Sequence, residues 1–168
     1  MAGNVATVAA FNDLSDWGAD SIRVGIGGGS ICSTRIVTGH GVPTLQSVID
    51  CSRSDRSAKL IADGGIRNSG DIVKCLAAGA DFVMLGSLLA GTSESEGDVV
   101  MIEGKKHKTY RGMASKDAQM NWRGHAATVE GVSSVVSEKG DVSLLIDKLS
   151  SGIRSGLSYS GARNIQTF

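Results

Sequence analysis

Short apolar runs alternate with amphipathic stretches along the first half of the chain. The apolar runs predict strands over residues 4–7, 21–26, 58–62 and 81–85. Apolar residues at helical spacing predict helices over residues 10–17, 45–51 and 69–78. Strands that are apolar on both faces and are separated by helices are typical of a parallel sheet with helices packed outside it. The pattern therefore predicts an α/β fold.

This regular pattern weakens in the second half of the chain. The stretch 91–139 is acidic at first, then basic, then polar, and we interpret it as an active-site loop and flap. Apolar side chains return at helical spacing over residues 141–156 and predict a helix that packs back on the rest of the chain. We expect a single catalytic-domain unit with three parts: β/α units over 1–90, loop and flap over 91–140, and a closing helix with a short tail over 141–168.

Composition and charge narrow the range of partners. The chain has 168 residues, of which 41% are hydrophobic and 20% are charged, as expected for one globular unit with a core. Because the net charge is +0, the overall field favours neither nucleic acid nor an anionic membrane as a partner. No apolar run approaches the roughly 20 residues of a membrane span, and the N-terminus lacks a signal-peptide pattern, so we expect a cytoplasmic protein.

Glycines gather where predicted strands end. The segments 27–30, 63–65 and 86–87 all follow strands, and (β/α) barrels and open α/β sheets both bind ligands at the carboxyl ends of their strands. Glycine allows the backbone to approach a ligand closely, and clustered amides bind phosphate. One Asp-Gly-Gly segment alone is more often a simple turn. Three such segments after successive strands favour a phosphate site.

The three cysteines lie in different contexts and show no spacing typical of a zinc or redox pair. Cys32 follows an apolar strand and a glycine-rich turn, where a cysteine is suited to act as a nucleophile. A lone cysteine is more often a small buried apolar residue. We apply that second interpretation to Cys51 and Cys75, which lie on the apolar faces of predicted helices.

Four segments together resemble the family of IMP dehydrogenases and GMP reductases: residues 24–35, 62–65, 83–87 and 110–113. The resemblance extends over nearly the whole chain. It implies a parallel (β/α) barrel of TIM type, of which this chain covers about the second half, because residues 2–5 resemble the fifth of its eight strands. Half a barrel has two open edges that need covering. A truncated chain, a split gene product, a partner chain or a half-barrel dimer would each account for this, and the family's tetramers imply a homo-oligomer.

The resemblance also implies roles for individual residues. Cys32 would attack the purine C2, Thr34 would handle the leaving group or water, and Glu130 would meet the base and take part in proton transfer. Asp63 would bind the ribose hydroxyls of a purine nucleoside monophosphate. The phosphate would be held by Ser30, Gly65, Gly86 and Ser87. Other contacts to the nucleotide would come from Met84, Tyr110, Gly112, Met113 and Gly131.

Cofactor and metal positions follow from the same resemblance. Asn4 would contact the nicotinamide cofactor. The backbone carbonyls of Gly27, Gly29 and Cys32 would coordinate a potassium ion, since carbonyl oxygens suit a hard cation.

The direction of the reaction depends on the flap. The dehydrogenases of the family activate water with an Arg-Tyr pair, whereas this chain has Trp122-Arg123-Gly124-His125 in that region. The absence of the pair favours a GMP reductase, which converts GMP to IMP and ammonia with NADPH. Arg123 and His125 are candidates to replace the missing base, so an IMP dehydrogenase that converts IMP to XMP with NAD stays an alternative. A non-catalytic nucleotide-binding half-barrel is a third hypothesis.

Overall fold

Four parallel strands form the central sheet in the computed structural model, which describes residues 1–168. They follow chain order across the sheet, and each pairs with the next in parallel. The strands are β1 (Ala2–Val5), β2 (Ser21–Val24), β3 (Lys59–Asp63) and β4 (Phe82–Met84). The predicted α/β fold with a parallel sheet is confirmed. Both outer strands, β1 and β4, have one open edge.

Helices connect these strands and cover the sheet. The predicted helices correspond to α1 (Val8–Asp16), α3 (Thr44–Cys51) and α4 (Ser69–Ala77). The sequence analysis missed α2 (Thr34–Thr38), a helix of five residues that starts directly after the glycine-rich turn. Its two apolar residues, Ile36 and Val37, are exposed, so this helix has no buried apolar stripe from which it could be predicted.

The core lies between the sheet and its helices. Buried side chains from β2 and β3 meet Phe11 of α1 and Val48 of α3 there. The long helix α6 (Val142–Tyr159) adds Leu149 to the same cluster and packs against α4. The predicted closing helix is therefore confirmed. A short 3-10 turn (Ile165–Thr167) follows it, and no helix of the structure combines the length and apolar character needed to cross a membrane.

The interpretation of residues 91–139 as loop and flap was wrong in one respect, because this stretch contains regular structure. Strands β5 (Val99–Ile102), β6 (Lys105–Arg111) and β7 (Ser133–Ser137) form an antiparallel sheet, here called the flap sheet, and α5 (Lys116–Arg123) lies between the last two strands. Strand β6 reads Lys-Lys-His-Lys-Thr-Tyr-Arg, so it has no alternation of apolar and polar residues to reveal it.

Candidate active site

A cavity of about 420 Å³ lies where the carboxyl ends of the four parallel strands meet the flap sheet. Its walls come from Asn4 of β1, from the loops after β2, β3 and β4, from the end of β6 and from the segment just before β7. Every residue that the sequence analysis assigned to catalysis, nucleotide, cofactor or metal lines it. These are Asn4, Gly27, Gly29, Ser30, Cys32, Thr34, Asp63, Gly65, Met84, Gly86, Ser87, Tyr110, Gly112, Met113, Glu130 and Gly131.

Close approach of two glycine-rich loops shapes the floor of this cavity. A Cβ atom on Gly64 would lie 3.1 Å from the carbonyl carbon of Gly28, and Gly64 has a φ of +99°. A Cβ atom on Gly25 would overlap the carbonyl oxygen of Asp63, and φ there is +150°. Glycine is required at these positions because the two loops touch backbone to backbone.

Three side chains form a hydrogen-bonded chain that begins at the half-buried thiol of Cys32. The thiol donates to Oγ1 of Thr34 across 3.2 Å, and that hydroxyl donates to Oε2 of Glu130 across 2.8 Å. The chain connects a nucleophile to a carboxylate through a hydroxyl. The arrangement can therefore move a proton between the sulfur and the carboxylate.

Backbone pairing brings Glu130 to this position. The amide of Ser33 donates to the carbonyl of Glu130 across 2.8 Å, and the amide of Val132 donates to the carbonyl of Ile31 across 3.1 Å. Cys32 and Gly131 thus face each other as an antiparallel bridge. The bridge ties the loop after β2 to the segment before β7.

Asp63 of β3 is held by one side chain from β1 and one from β2. Its Oδ2 accepts from Nδ2 of Asn4 at 2.8 Å and from Nη2 and Nε of Arg23 at 2.7 and 3.2 Å. Oδ1 of Asp63 accepts no hydrogen bond and is left for a ligand hydroxyl. The sequence analysis missed Arg23, although a charged residue inside the Ser-Ile-Arg-Val strand was a signal that it has a specific partner.

The loop after β4 carries Gly86 and Ser87 on the far side of the cavity. Nζ of Lys139 donates to the carbonyl oxygens of Ser87 and Leu88 at 2.8 and 3.0 Å. Partial burial lowers the pKa of Lys139 from its ordinary value. This lysine was also missed by the sequence analysis, because it lies 52 residues from Ser87.

The three carbonyls expected to bind potassium differ in their surroundings. The carbonyl oxygen of Gly29 accepts the amide of Cys32 at 3.2 Å, while those of Gly27 and Cys32 accept no backbone hydrogen bond. Two of the three are therefore available to a hard monovalent cation. The structure holds no cluster of three or more His, Cys, Asp or Glu side chains that suits a metal ion.

Arg123 and His125 lie outside the cavity, although Arg123 lines an adjoining pocket that shares Glu130 with it. The guanidinium of Arg123 stacks 4.3 Å from the ring centroid of Trp122, and Nδ1 of His125 lies 3.2 Å from the carbonyl oxygen of Arg123. Neither residue lines the cavity. In this conformation they do not supply the base that an Arg-Tyr pair would provide.

The other two cysteines are buried in the core, as predicted. Burial raises the pKa of Cys51 to about 11, and burial also raises the pKa of Cys75. We expect iodoacetamide at pH 8 to label Cys32 alone in the folded protein and all three thiols in denaturant. Peptide mass spectrometry after a timed reaction checks this. Labelling of Cys51 or Cys75 at the rate of Cys32 in the folded protein would contradict it.

Comparison with known proteins decides the family. The model of the IMP dehydrogenase / GMP reductase domain matches residues 1–168. The chain belongs to this family. It is 48% identical to an inosine-5'-monophosphate dehydrogenase of Thermoplasma acidophilum, over 99% of this chain and 36% of that protein. It is 46% identical to a GMP reductase of Leishmania major, over 98% of this chain and 36% of that protein.

A solved structure of the IMP dehydrogenase / GMP reductase family resembles this chain in fold. A cysteine-to-alanine variant of GMP reductase from Trypanosoma brucei, in complex with guanosine 5'-monophosphate, superposes with a TM-score of 0.93. It is 46% identical and is matched over 98% of this chain and 35% of its own. The chain thus spans little more than a third of the length of these relatives.

Proposed function

We propose that this chain carries the nucleotide site and the nucleophile of a GMP reductase, which converts GMP to IMP and ammonia with NADPH. The observation that carries the proposal is the chain of hydrogen bonds from Cys32 through Thr34 to Glu130 at the edge of a glycine-lined cavity. The cavity has the two features that a nucleoside monophosphate needs: small-residue loops for the phosphate and, at Asp63, a free carboxylate oxygen for the ribose.

Cys32 forms the covalent bond in the first step. Its sulfur adds to C2 of the guanine, the bond from C2 to the exocyclic amino group breaks, and ammonia leaves. The proton of the thiol passes through Thr34 and Glu130 to the departing nitrogen. The product of this step is a thioimidate that joins Cys32 to the purine.

The second step releases IMP. NADPH would supply the hydride that C2 accepts. Cys32 then leaves as the thiolate and regains a proton through Thr34. The whole reaction consumes GMP, NADPH and one proton, and it yields IMP, NADP⁺ and ammonia.

Asn4 is the residue that we place at the cofactor. Its Nδ2 donates to the carbonyl of Gly25 and to Asp63, both at 2.8 Å, which fixes the amide in one orientation. Oδ1 of Asn4 accepts no hydrogen bond, so it is free to accept from the carboxamide of a nicotinamide. The residues therefore fit the cofactor. A potassium ion would be held by the carbonyl oxygens of Gly27 and Cys32 and by the second lone pair of the Gly29 carbonyl, which accepts one backbone hydrogen bond.

We also propose that the four-stranded sheet is the second half of a TIM-type barrel. Its strands follow chain order, its helices lie outside, and its cavity is at the carboxyl ends of the strands. The open edges of β1 and β4, and a Phe82 side chain that is 57% exposed, call for further strands. These would come from the remaining length found in the relatives or from a homo-oligomer.

An IMP dehydrogenase is the second candidate, because a relative with that name is 48% identical to this chain. The positions of Arg123 and His125 outside the cavity argue against it. The test is to follow NADPH absorbance with GMP, and in parallel NADH formation with IMP and NAD. GMP-dependent loss of NADPH with release of ammonia supports the reductase. IMP-dependent formation of NADH would establish the dehydrogenase instead.

A further inference from the structure

The loop that carries Gly86 and Ser87, with its continuation, is bound by residues of the flap sheet and of the segment that follows β7. The carbonyl oxygen of Gly86 accepts the amides of Leu89 and Ala90 at 3.0 and 3.2 Å, so the loop closes into a tight turn. The ammonium group of Lys139, which follows β7, donates to the next two carbonyl oxygens, those of Ser87 and Leu88. Lys139 does not line the cavity itself.

A second lysine holds the continuation of this loop. Lys108 of β6 is 5% exposed, and its Nζ donates to the carbonyl oxygens of Thr92, Ser93 and Ser95. Backbone bonds add to this contact, because the amide of Lys139 donates to the carbonyl of Gly91 across 2.8 Å. Residues 87–95 are therefore held by two ammonium groups, one from Lys108 of the flap sheet and one from Lys139, which follows that sheet.

Two sets of hydrogen bonds fix which way the amides of the turn point, and Lys139 supplies one of them. In a planar trans peptide the N–H and the C=O point in opposite directions. The carbonyl of Gly86 is directed to Leu89 and Ala90, so the amide N–H of Ser87 in the same peptide points the other way. The carbonyl of Ser87 is directed to Lys139, so the amide N–H of Leu88 also points away from the ammonium group. Both orientations are set by partners outside the cavity.

We propose that Lys139 is a positioning residue for recognition of the 5′-phosphate, and that it acts through the carbonyl oxygens of Ser87 and Leu88. The inference rests on the proposed function, because it requires that this turn holds the phosphate of a nucleotide. A charged donor on these carbonyls keeps the turn in one conformation before the ligand arrives, which lowers the cost of ordering it on binding. The positive charge behind the turn adds to the attraction for an anion.

The test compares the affinities of GMP and guanosine by titration calorimetry in four variants. Lys139→Met is expected to weaken GMP about tenfold and to leave guanosine nearly unchanged, because only the phosphate is affected. Lys139→Arg restores most of the preference for GMP. Lys139→Gln keeps a hydrogen-bond donor without the charge, and its preference for GMP over guanosine should lie between those of the other two variants. Lys105→Met is the matched control, since this exposed lysine of β6 has no side-chain partner.

The outcomes separate this inference from the proposed function. A wild-type protein with no preference for GMP over guanosine would overturn the proposed function itself. A preference that is present in the wild type and unchanged in Lys139→Met would overturn the inference alone. A merely structural role would weaken both ligands alike and would lower the melting temperature in proportion. If Lys139→Met fails to fold, the comparison of Lys139→Gln with Lys139→Arg decides the matter.

Discussion

Cys32→Ala is expected to abolish GMP-dependent oxidation of NADPH, with a loss of at least about 1000-fold in turnover. The thiol is the only nucleophile at the start of the hydrogen-bonded chain, and no covalent bond to the purine can form without it. The bond from Thr34 to Glu130 does not depend on the sulfur, so the site keeps its shape. GMP should therefore still bind to the variant with an affinity within a few-fold of the wild type. Steady-state absorbance and calorimetry measure the two effects.

Two further variants serve as controls for the loss of activity in Cys32→Ala. Cys32→Ser keeps a donor for Thr34 but is a much weaker nucleophile, and it should be about as inactive as Cys32→Ala. Ser33→Ala changes the next side chain, which makes no capping hydrogen bond, and should stay active. If Cys32→Ala oxidised NADPH at more than a tenth of the wild-type rate, the covalent mechanism would be wrong.

Gly25→Ala is expected to destabilise the protein by about 3 kcal/mol or more and to lower nucleotide affinity as well. The new methyl group would overlap the carbonyl oxygen of Asp63, and the φ of +150° is one that alanine rarely adopts. Since β2 and β3 are paired through Val24 and Ala62, relief of the overlap requires a shift of the two strand ends that carry the site. Urea unfolding gives the free energy of unfolding, and calorimetry gives the affinity for GMP.

Gly18→Ala is the matched control for this prediction. Gly18 also has a positive φ, +94°, but a Cβ atom there meets nothing within 4 Å. This control measures the effect of backbone strain alone. We expect Gly18→Ala to lower the free energy of unfolding by about 1 kcal/mol and to leave the affinity for GMP unchanged. Equal losses of stability in the two variants would show that the contact between Gly25 and Asp63 does not matter.

The β/α half of the molecule could be predicted because its local patterns agree with its tertiary structure. Strand β3 contains the buried apolar run Leu-Ile-Ala followed by Asp-Gly-Gly, so both the strand and the site at its end are visible in the sequence. Strand β6 is different. Most of its side chains are charged or polar and are exposed, and its place in a sheet depends on pairing with β5 and β7. Strand β5 does carry a signal, the apolar run Val-Val-Met-Ile, which the sequence analysis overlooked.

The residues of the candidate site also fall into two groups, those that local sequence predicts and those that it does not. Cys32 and the glycine-rich loops could be found from local sequence, whereas the place of Glu130 came only from the family resemblance. Nothing near Glu130 distinguishes it from a solvated glutamate, because its partner Thr34 is 96 residues away. Lys139 was missed for the same physical reason, because it acts on backbone carbonyls far away in sequence and such contacts leave no spacing to recognise. Arg23 did carry a signal, its charge inside a strand, but nothing in the sequence identified Asp63 as its partner.

The central claim is that Cys32 bonds covalently to the purine of a bound nucleotide. Its most direct test is to incubate the wild-type protein with GMP, quench it in acid, and measure the mass of each cysteine peptide. We predict an increase equal to GMP less one ammonia on the peptide that contains Cys32, and no change on those of Cys51 and Cys75. An unmodified Cys32 in a protein that calorimetry shows to be saturated with GMP would contradict the account.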